Sequence, residues 1–247
     1  MNDRVGFAIV GLGKLALGQI LPAFAHTQHC RVAALVSGHR DKALKLAREH
    51  KLQDTMVFDY ANFDRLADQA DVEVNGVRYL SGEEPYEIAA IQQSPLGDSR
   101  FREVEETVHF TLGFPSGLRA LCHTSYGTHR CNFLRLVGTE GWAELDPAYS
   151  YGGLKLRVAA AARGETAVNE PPLPAADPFA LEMDHMASCV REGRRPYSPG
   201  EEGLQDQRLM EAIYVSAREG GRPMKLDVID GGTWRGPEPA EAAPRVM

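Results

Sequence analysis

Ala8-Ile9-Val10-Gly11-Leu12-Gly13-Lys14-Leu15-Ala16 decides how the chain is read. An apolar run passes into G-x-G-x-x-A and then into a helical pattern, the arrangement a dinucleotide pyrophosphate needs. Gly11 makes the tight turn, Gly13 lets the backbone approach the phosphates, Ala16 lets the helix pack on the strand, and helix N–H groups face the anion. Out of context, a simple tight turn after a buried strand explains the glycines about equally well. The next segment separates the two readings. A second strand, Arg31 to Val36, ends in Ser37-Gly38-His39-Arg40-Asp41-Lys42, about 20 residues on, where a site for NAD carries Asp or Glu for the ribose hydroxyl. No acid stands at that strand end. A small hydroxyl with Arg40 and Lys42 close behind suits a 2′-phosphate, so NADP is expected in preference to NAD.

The chain has 247 residues, 43% of them apolar, enough for one large or two medium domains with real cores. A formal net charge of -7 and the lack of a basic stripe interleaved with aromatics exclude a general nucleic-acid surface. Cys30, Cys122, Cys131 and Cys189 show neither C-x-x-C nor zinc-ligand spacing, so they read as structural thiols and no metal site is expected. No apolar run is long enough to span a bilayer. Met1-Asn2-Asp3-Arg4-Val5 leads directly into a strand rather than into a secretory signal, and the expected location is cytoplasmic.

Patterning predicts strand Val5 to Val10, helix Leu15 to His26 with a kink or early end at Pro22, strand Arg31 to Val36, helix Asp41 to His50, strand Thr55 to Asp59 and helix Asn62 to Gln69. This alternation predicts a parallel sheet. A fourth strand is expected to begin at Asp71-Val72-Glu73-Val74 and to stop there. From Tyr86 the pattern changes to period-2 strands: Tyr86 to Gln92, Glu105 to Phe114, Gly117 to Ser125, Asn132 to Gly138 and Gly141 to Leu145. Turn text at Pro115-Ser116-Gly117 and Gly138-Thr139-Glu140-Gly141 makes them antiparallel. Ala159 to Pro178 reads as a loop, followed by helices Phe179 to Arg191 and Gly200 to Arg218, and Asp227 to Met247 reads as a flexible tail. The expected class is α/β plus α+β: a truncated Rossmann-type parallel sheet (1–74), an open, mainly antiparallel β-sheet domain with C-terminal helices (75–226) and a tail (227–247).

Several segments together resemble the Gfo/Idh/MocA oxidoreductases, most nearly the branch of glucose-fructose oxidoreductase and aldose-aldose oxidoreductase. They are the opening strand and loop with Gln19-Ile20-Leu21-Pro22, Ala34-Leu35-Val36-Ser37-Gly38, Asp59-Tyr60-Ala61-Asn62-Phe63-Asp64, Asn75-Gly76-Val77-Arg78-Tyr79-Leu80, Gly82-Glu83-Glu84-Pro85, Thr124-Ser125-Tyr126, Ser198-Pro199-Gly200-Glu201-Glu202-Gly203-Leu204-Gln205-Asp206 and Glu211-Ala212-Ile213-Tyr214. The resemblance implies an NADP-dependent oxidoreductase that transfers hydride to or from sugars or polyols and forms a homo-oligomer through its C-terminal sheet. By the same resemblance, Gly11, Gly13, Lys14 and Leu15 face the pyrophosphate, Ser37, Gly38, Arg40 and Lys42 face the 2′-phosphate end, and Tyr60 lies near the adenine.

One departure bears on the chemistry. In the family a Glu-Lys-Pro lysine beside the nicotinamide, and a Tyr or His on the helix ending in Asn-Gly-x-Arg-Tyr-Leu, serve the reaction. Here Val74 abuts Asn75, and two strand–helix units of roughly 30 residues each are missing together with Glu-Lys-Pro. No catalytic residue is therefore assigned, and a non-catalytic internal-deletion form that only binds nucleotide or oligomerises stands as the alternative. Tyr79 reads as a helix packing residue, His185 as part of a buried stripe with Phe179, Met183, Met186 and Val190, and Glu103, Glu105 and Glu106 as a solvated face. His123 and His129 fit a sheet edge as well as a cleft.

Overall fold

The elements in chain order are β1 (Val5–Val10), a π-helical turn (Ala16–Ile20), α1 (Leu21–Ala23), β2 (Cys30–Val36), α2 (Arg40–Glu49), β3 (Val57–Phe58) and α3 (Gln69–Ser81). There follow β4 (Glu87–Gln93), β5 (Thr107–Gly113), β6 (Arg119–Ser125), β7 (Leu134–Val137), β8 (Gly141–Leu145), β9 (Leu156–Ala162) and β10 (Glu165–Asn169). The chain closes with α4 (Pro178–Glu192), α5 (Gly200–Arg218) and β11 (Met224–Lys225). The structure, a computed structural model, describes residues 4–52, 57–58, 69–102, 104–129, 131–162, 165–227 and 235–237. They belong to two compact units, Met1–Arg65 with Phe133–Pro196 and Pro237–Met247, and Leu66–Asn132 with Tyr197–Gly236.

In the first unit β1, β2 and β3 lie side by side and parallel, in that order. Ile9, Leu12, Ala16, Leu21, Leu35, Ala43 and Ala47 form the core between this sheet and its helices. At Gly6 the neighbouring strand is so close that an added Cβ would meet the Cβ of Ala33 at 2.8 Å. The predicted kink takes a definite form. Pro22 has no N–H to offer the carbonyl one turn back, and the helix widens into the π-helical turn before α1 restarts with Pro22 in its first turn. The expected helix Asn62 to Gln69 lies outside the described residues, except that Gln69 begins α3.

Helix α4 packs on β1 and β2, burying Ala180, Met183 and Ala187 beside Ala23 and Cys30. Asp177 caps it by accepting from the N–H groups of Phe179 (3.1 Å) and Ala180 (3.2 Å), which satisfies donors the first turn leaves unused. Asp184 reaches the turn before β2, where its carboxylate accepts from the N–H groups of Gln28 (2.8 Å) and His29 (2.8 Å). The Cys30 thiol donates to the carbonyl of Met183 at 3.1 Å. Burial, reinforced by the Asp184 charge, pushes that thiol up to about 12.

The same unit holds a second sheet, antiparallel in the order β10-β9-β8-β7. Its outer hairpin corrects the expectation of a loop from Ala159 to Pro178. The alanine run of β9 pairs with β8, where Gly141 lies so close to Ala159 that a side chain would collide with its carbonyl. Small residues there serve strand contact rather than disorder. Glu144 is buried between Arg157 and Arg135, and the Arg135 guanidinium lies 4.3 Å from the Trp142 ring centre.

The second unit is an antiparallel sheet in the order β11-β4-β5-β6, with α5 against β4 and α3 against α5. Val74, Ile88, Ala90, Phe110, Leu112, Leu209 and Ile213 fill its core. Ser216 ties α5 to the sheet, its hydroxyl accepting from the N–H of Ala90 at 2.9 Å and donating to the carbonyl of Arg222 at 2.7 Å. The antiparallel strands thus form two four-stranded sheets. Asp71 to Val74 is also corrected: it belongs to α3, not to a fourth strand. Val74, Val77, Arg78 and Ser81 follow the i, i+3, i+4, i+7 spacing of one helix face, and this outweighs the short Asp-Val-Glu-Val alternation.

Two outcomes follow. Alkylation of the native protein near pH 8 is expected to modify exposed Cys131 quickly and to leave Cys30 unreacted until unfolding; fast labelling of Cys30 would contradict its burial. The His185 imidazole is held below its ordinary value by burial and then by the Arg194 charge. The unfolded chain therefore takes up the proton first as pH falls through about 6.5. Native stability is expected to drop across that window, and urea titrations of His185→Phe should show a shallower drop.

Candidate functional site

At the carboxyl ends of β1 and β2 the sequence-predicted nucleotide residues fall into two adjacent turns. Gly11 takes φ +84, a conformation that a side chain would strain, and its N–H donates to the carbonyl of Val36 at 2.9 Å. Leu12 turns into the core, whereas Gly13, Lys14 and Leu15 are exposed. A Cβ added at Gly11, Gly13 or Gly38 would meet nothing within 4 Å. The space over the loop is therefore open, as close approach of a pyrophosphate requires, and on this observation the residues present fit a dinucleotide. In the second turn buried Ser37 accepts from the N–H of His39 at 3.1 Å, and Gly38 is exposed. Lys42, on the first turn of α2, donates to the carbonyl of Leu12 at 2.5 Å, so it braces the glycine loop from the neighbouring helix. Arg40 opens α2. Tyr60 lies outside the described residues.

The second unit contains a constellation that sequence reasoning missed. Arg78 is fully buried, and its guanidinium meets three carboxylates. It donates to Glu84 at 2.6 Å from Nη2 and at 2.9 Å from Nε, to Asp206 at 2.5 Å, and lies 3.0 Å from Glu202. Asn75 donates to Asp206 at 2.9 Å and Gln205 to Glu84 at 3.1 Å. Arg235 reaches Glu202 at 2.5 Å, its guanidinium 5.9 Å from the Tyr197 ring centre. Burial opposes the charge on Arg78, but the hydrogen bonds and charge of Glu84, then Asp206 and Glu202, outweigh it and hold the guanidinium above its ordinary value. These residues are the Asn-Gly-x-Arg, Gly-Glu-Glu-Pro and Glu-Glu-Gly-Leu-Gln-Asp segments, so the most distinctive text of the chain forms a packed ionic cluster.

The remaining candidates stand apart. Tyr79, on the last turn of α3, is exposed and meets the Tyr197 ring edge-on at 6.2 Å. Glu105 accepts from the Tyr214 hydroxyl at 2.8 Å; Glu103 lies outside the described residues. His185 sits 3.5 Å from the Cys189 sulfur. His123 pairs with His109, and His129 is exposed. Among the described residues, no helix is long and apolar enough to cross a membrane.

The family model of the oxidoreductase C-terminal alpha/beta domain, that of the Gfo/Idh/MocA group, matches residues 66–226. The chain belongs to that oxidoreductase family. It is 27% identical over 156 residues, 62% of its length and 41% of the relative's, to D-xylose 1-dehydrogenase [NADP(+)] of Haloarcula marismortui. It is 29% identical over 133 residues, 53% of its length and 39% of the relative's, to D-xylose 1-dehydrogenase (NADP(+)) 2 of Haloferax volcanii. The chain therefore matches about two fifths of the length of these curated relatives. The crystal structure of aldose-aldose oxidoreductase from Caulobacter crescentus, complexed with glycerol, superimposes with a TM-score of 0.81 at 27% identity, covering 90% of this chain and 100% of that one.

Removing one partner from a buried ion cluster leaves the others uncompensated. Arg78→Ala and Asp206→Ala are each expected to lower the urea-unfolding free energy by about 3–5 kcal/mol. Arg78→Lys should restore little, because an ammonium does not reproduce the fork that meets Glu84 and Asp206 together. Wild-type stability in Arg78→Ala would contradict the assignment.

Proposed function

We propose that this chain is an NADP-dependent oxidoreductase of the kind that acts on sugars or polyols. It holds the adenosine and pyrophosphate end of the coenzyme in the turns after β1 and β2. Gly11 and Gly13 provide the open backbone, Lys14 and Leu15 flank the diphosphate, and Ser37, Gly38, Arg40 and Lys42 receive the 2′-phosphate, with Tyr60 toward the adenine. The observation that carries this reading is the left-handed turn at Gly11, with open space above it and the basic β2–α2 turn beside it. The NADP(+) in the names of the two xylose-dehydrogenase relatives supports the coenzyme, and their sugar and the aldoses of the structural relative support the substrate class. Bound NADP supplies the hydride acceptor; the chain binds and orients its phosphate end. Self-association through the antiparallel sheet of the second unit completes the proposal.

A second reading has its own support. The sequence contains no Glu-Lys-Pro, and α3 has neither Tyr nor His ahead of Asn75. On that reading the chain binds the coenzyme and oligomerises without turnover. Fluorescence titration with NADPH, followed by assay of NADP with aldoses and polyols at the reduced-nicotinamide band, separates them. Binding with turnover supports the first reading, binding alone supports the second, and absence of binding overturns both.

Arg40→Ala combined with Lys42→Ala is expected to weaken NADP about tenfold or more while affecting NAD less, since a charged hydrogen bond to the 2′-phosphate is lost only for NADP. Equal losses for both coenzymes would remove the case for phosphate selection.

A further inference from the structure

The antiparallel register of β5 and β6 sets His109 directly opposite His123 on the outward face of the sheet, where both rings are exposed. Their Nδ1 atoms face each other at 3.1 Å, with ring centres 4.5 Å apart. Two neutral imidazoles hold this contact when one Nδ1 carries a proton and the other accepts it. A divalent cation bound by both nitrogens would replace that proton. With metal–nitrogen bonds of about 2.0–2.1 Å, neighbouring ligands in square or tetrahedral geometry lie about 2.9–3.4 Å apart. The observed separation falls inside that range without movement of either strand. The ladder supplies rigidity, because β5 pairs with β4 on its other side and the next pair on the same face, Thr107 and Ser125, is joined hydroxyl to hydroxyl at 2.7 Å.

We propose that His109 and His123 form a two-histidine site for a divalent transition-metal ion of the imidazole-preferring class, Zn2+, Ni2+ or Cu2+. Among the described residues no third His, Cys, Asp or Glu side chain groups with them, so water fills the other positions. If a second copy covers this face, its own pair can fill them instead. Two neighbours on this face are apolar: Ile91, on β4, pairs with His109, and Leu121 lies two residues before His123 and is 86% exposed. Mg2+ and Ca2+, which prefer oxygen ligands, should not bind. This site is remote in sequence from the nucleotide turns and does not depend on coenzyme binding.

Isothermal titration of the full chain with NiCl2 tests it, with His109→Gln, His123→Gln, His129→Gln and Cys131→Ser as variants and circular dichroism confirming their fold. The expected result is one Ni2+ per chain, or one per two chains if a dimer shares it. Affinity should fall at least tenfold in either His109→Gln or His123→Gln and be unchanged in His129→Gln and Cys131→Ser. Absence of binding to the wild-type chain, binding unchanged by both His109→Gln and His123→Gln, or binding lost with Cys131→Ser would each overturn the site.

Discussion

A guanidinium removed from water must be met by charge or it will not remain there. Arg78 is met by Glu84, Glu202 and Asp206, which come from the turn after α3 and from the first half of α5. The cluster therefore fixes three things at once: how α3 ends, how the chain enters β4, and how α5 lies beside α3. None of these contacts is useful alone, because each carboxylate without Arg78 is a buried charge among other carboxylates. Asn75 and Gln205 take up remaining positions on Asp206 and Glu84, and Arg235 balances Glu202. The apolar core of Ile88, Phe110, Leu112 and Leu209 supplies the burial, while the ionic cluster limits the arrangements in which it can be reached.

This explains why family resemblance and chemistry separate in this chain. The segments that are most family-like build the Arg78 cluster, a folding device. The residues proposed to hold the coenzyme lie in the other unit, in the turns after β1 and β2. Belonging to the oxidoreductase family thus fixes how the second unit folds more firmly than it fixes what the first unit does.

The α/β plus α+β class was legible because β1, β2, α2 and the hairpin strands each carry a clear period with glycines or prolines at their ends. Two segments misled. Asp71 to Val74 alternates as a strand does, but Val74 shares its buried face with Val77 and Arg78, three and four residues further on, and helical spacing wins. Ala159 to Ala162 has the composition of a loop, yet it ends β9, whose backbone at Ala159 and Ala160 lies close against Gly141 on β8. The turns after β1 and β2 could be located from glycine spacing and strand ends, although the bracing of the glycine loop by Lys42 could not. The ionic cluster was hidden because Arg78 and Asp206 are 128 residues apart, and the histidine pair appears only once the β5–β6 register is known.

Hydrogen exchange of the native full-length chain measures the cluster's role most directly. If Arg78 and its carboxylates unite the second unit, amides of α3 at Arg78, of β4 at Ile88 and of α5 at Leu209 will open together with one free energy, and Asp206→Asn will lower all three alike. Early, independent exchange of α3, with β4 and α5 unaffected by that substitution, would contradict the account.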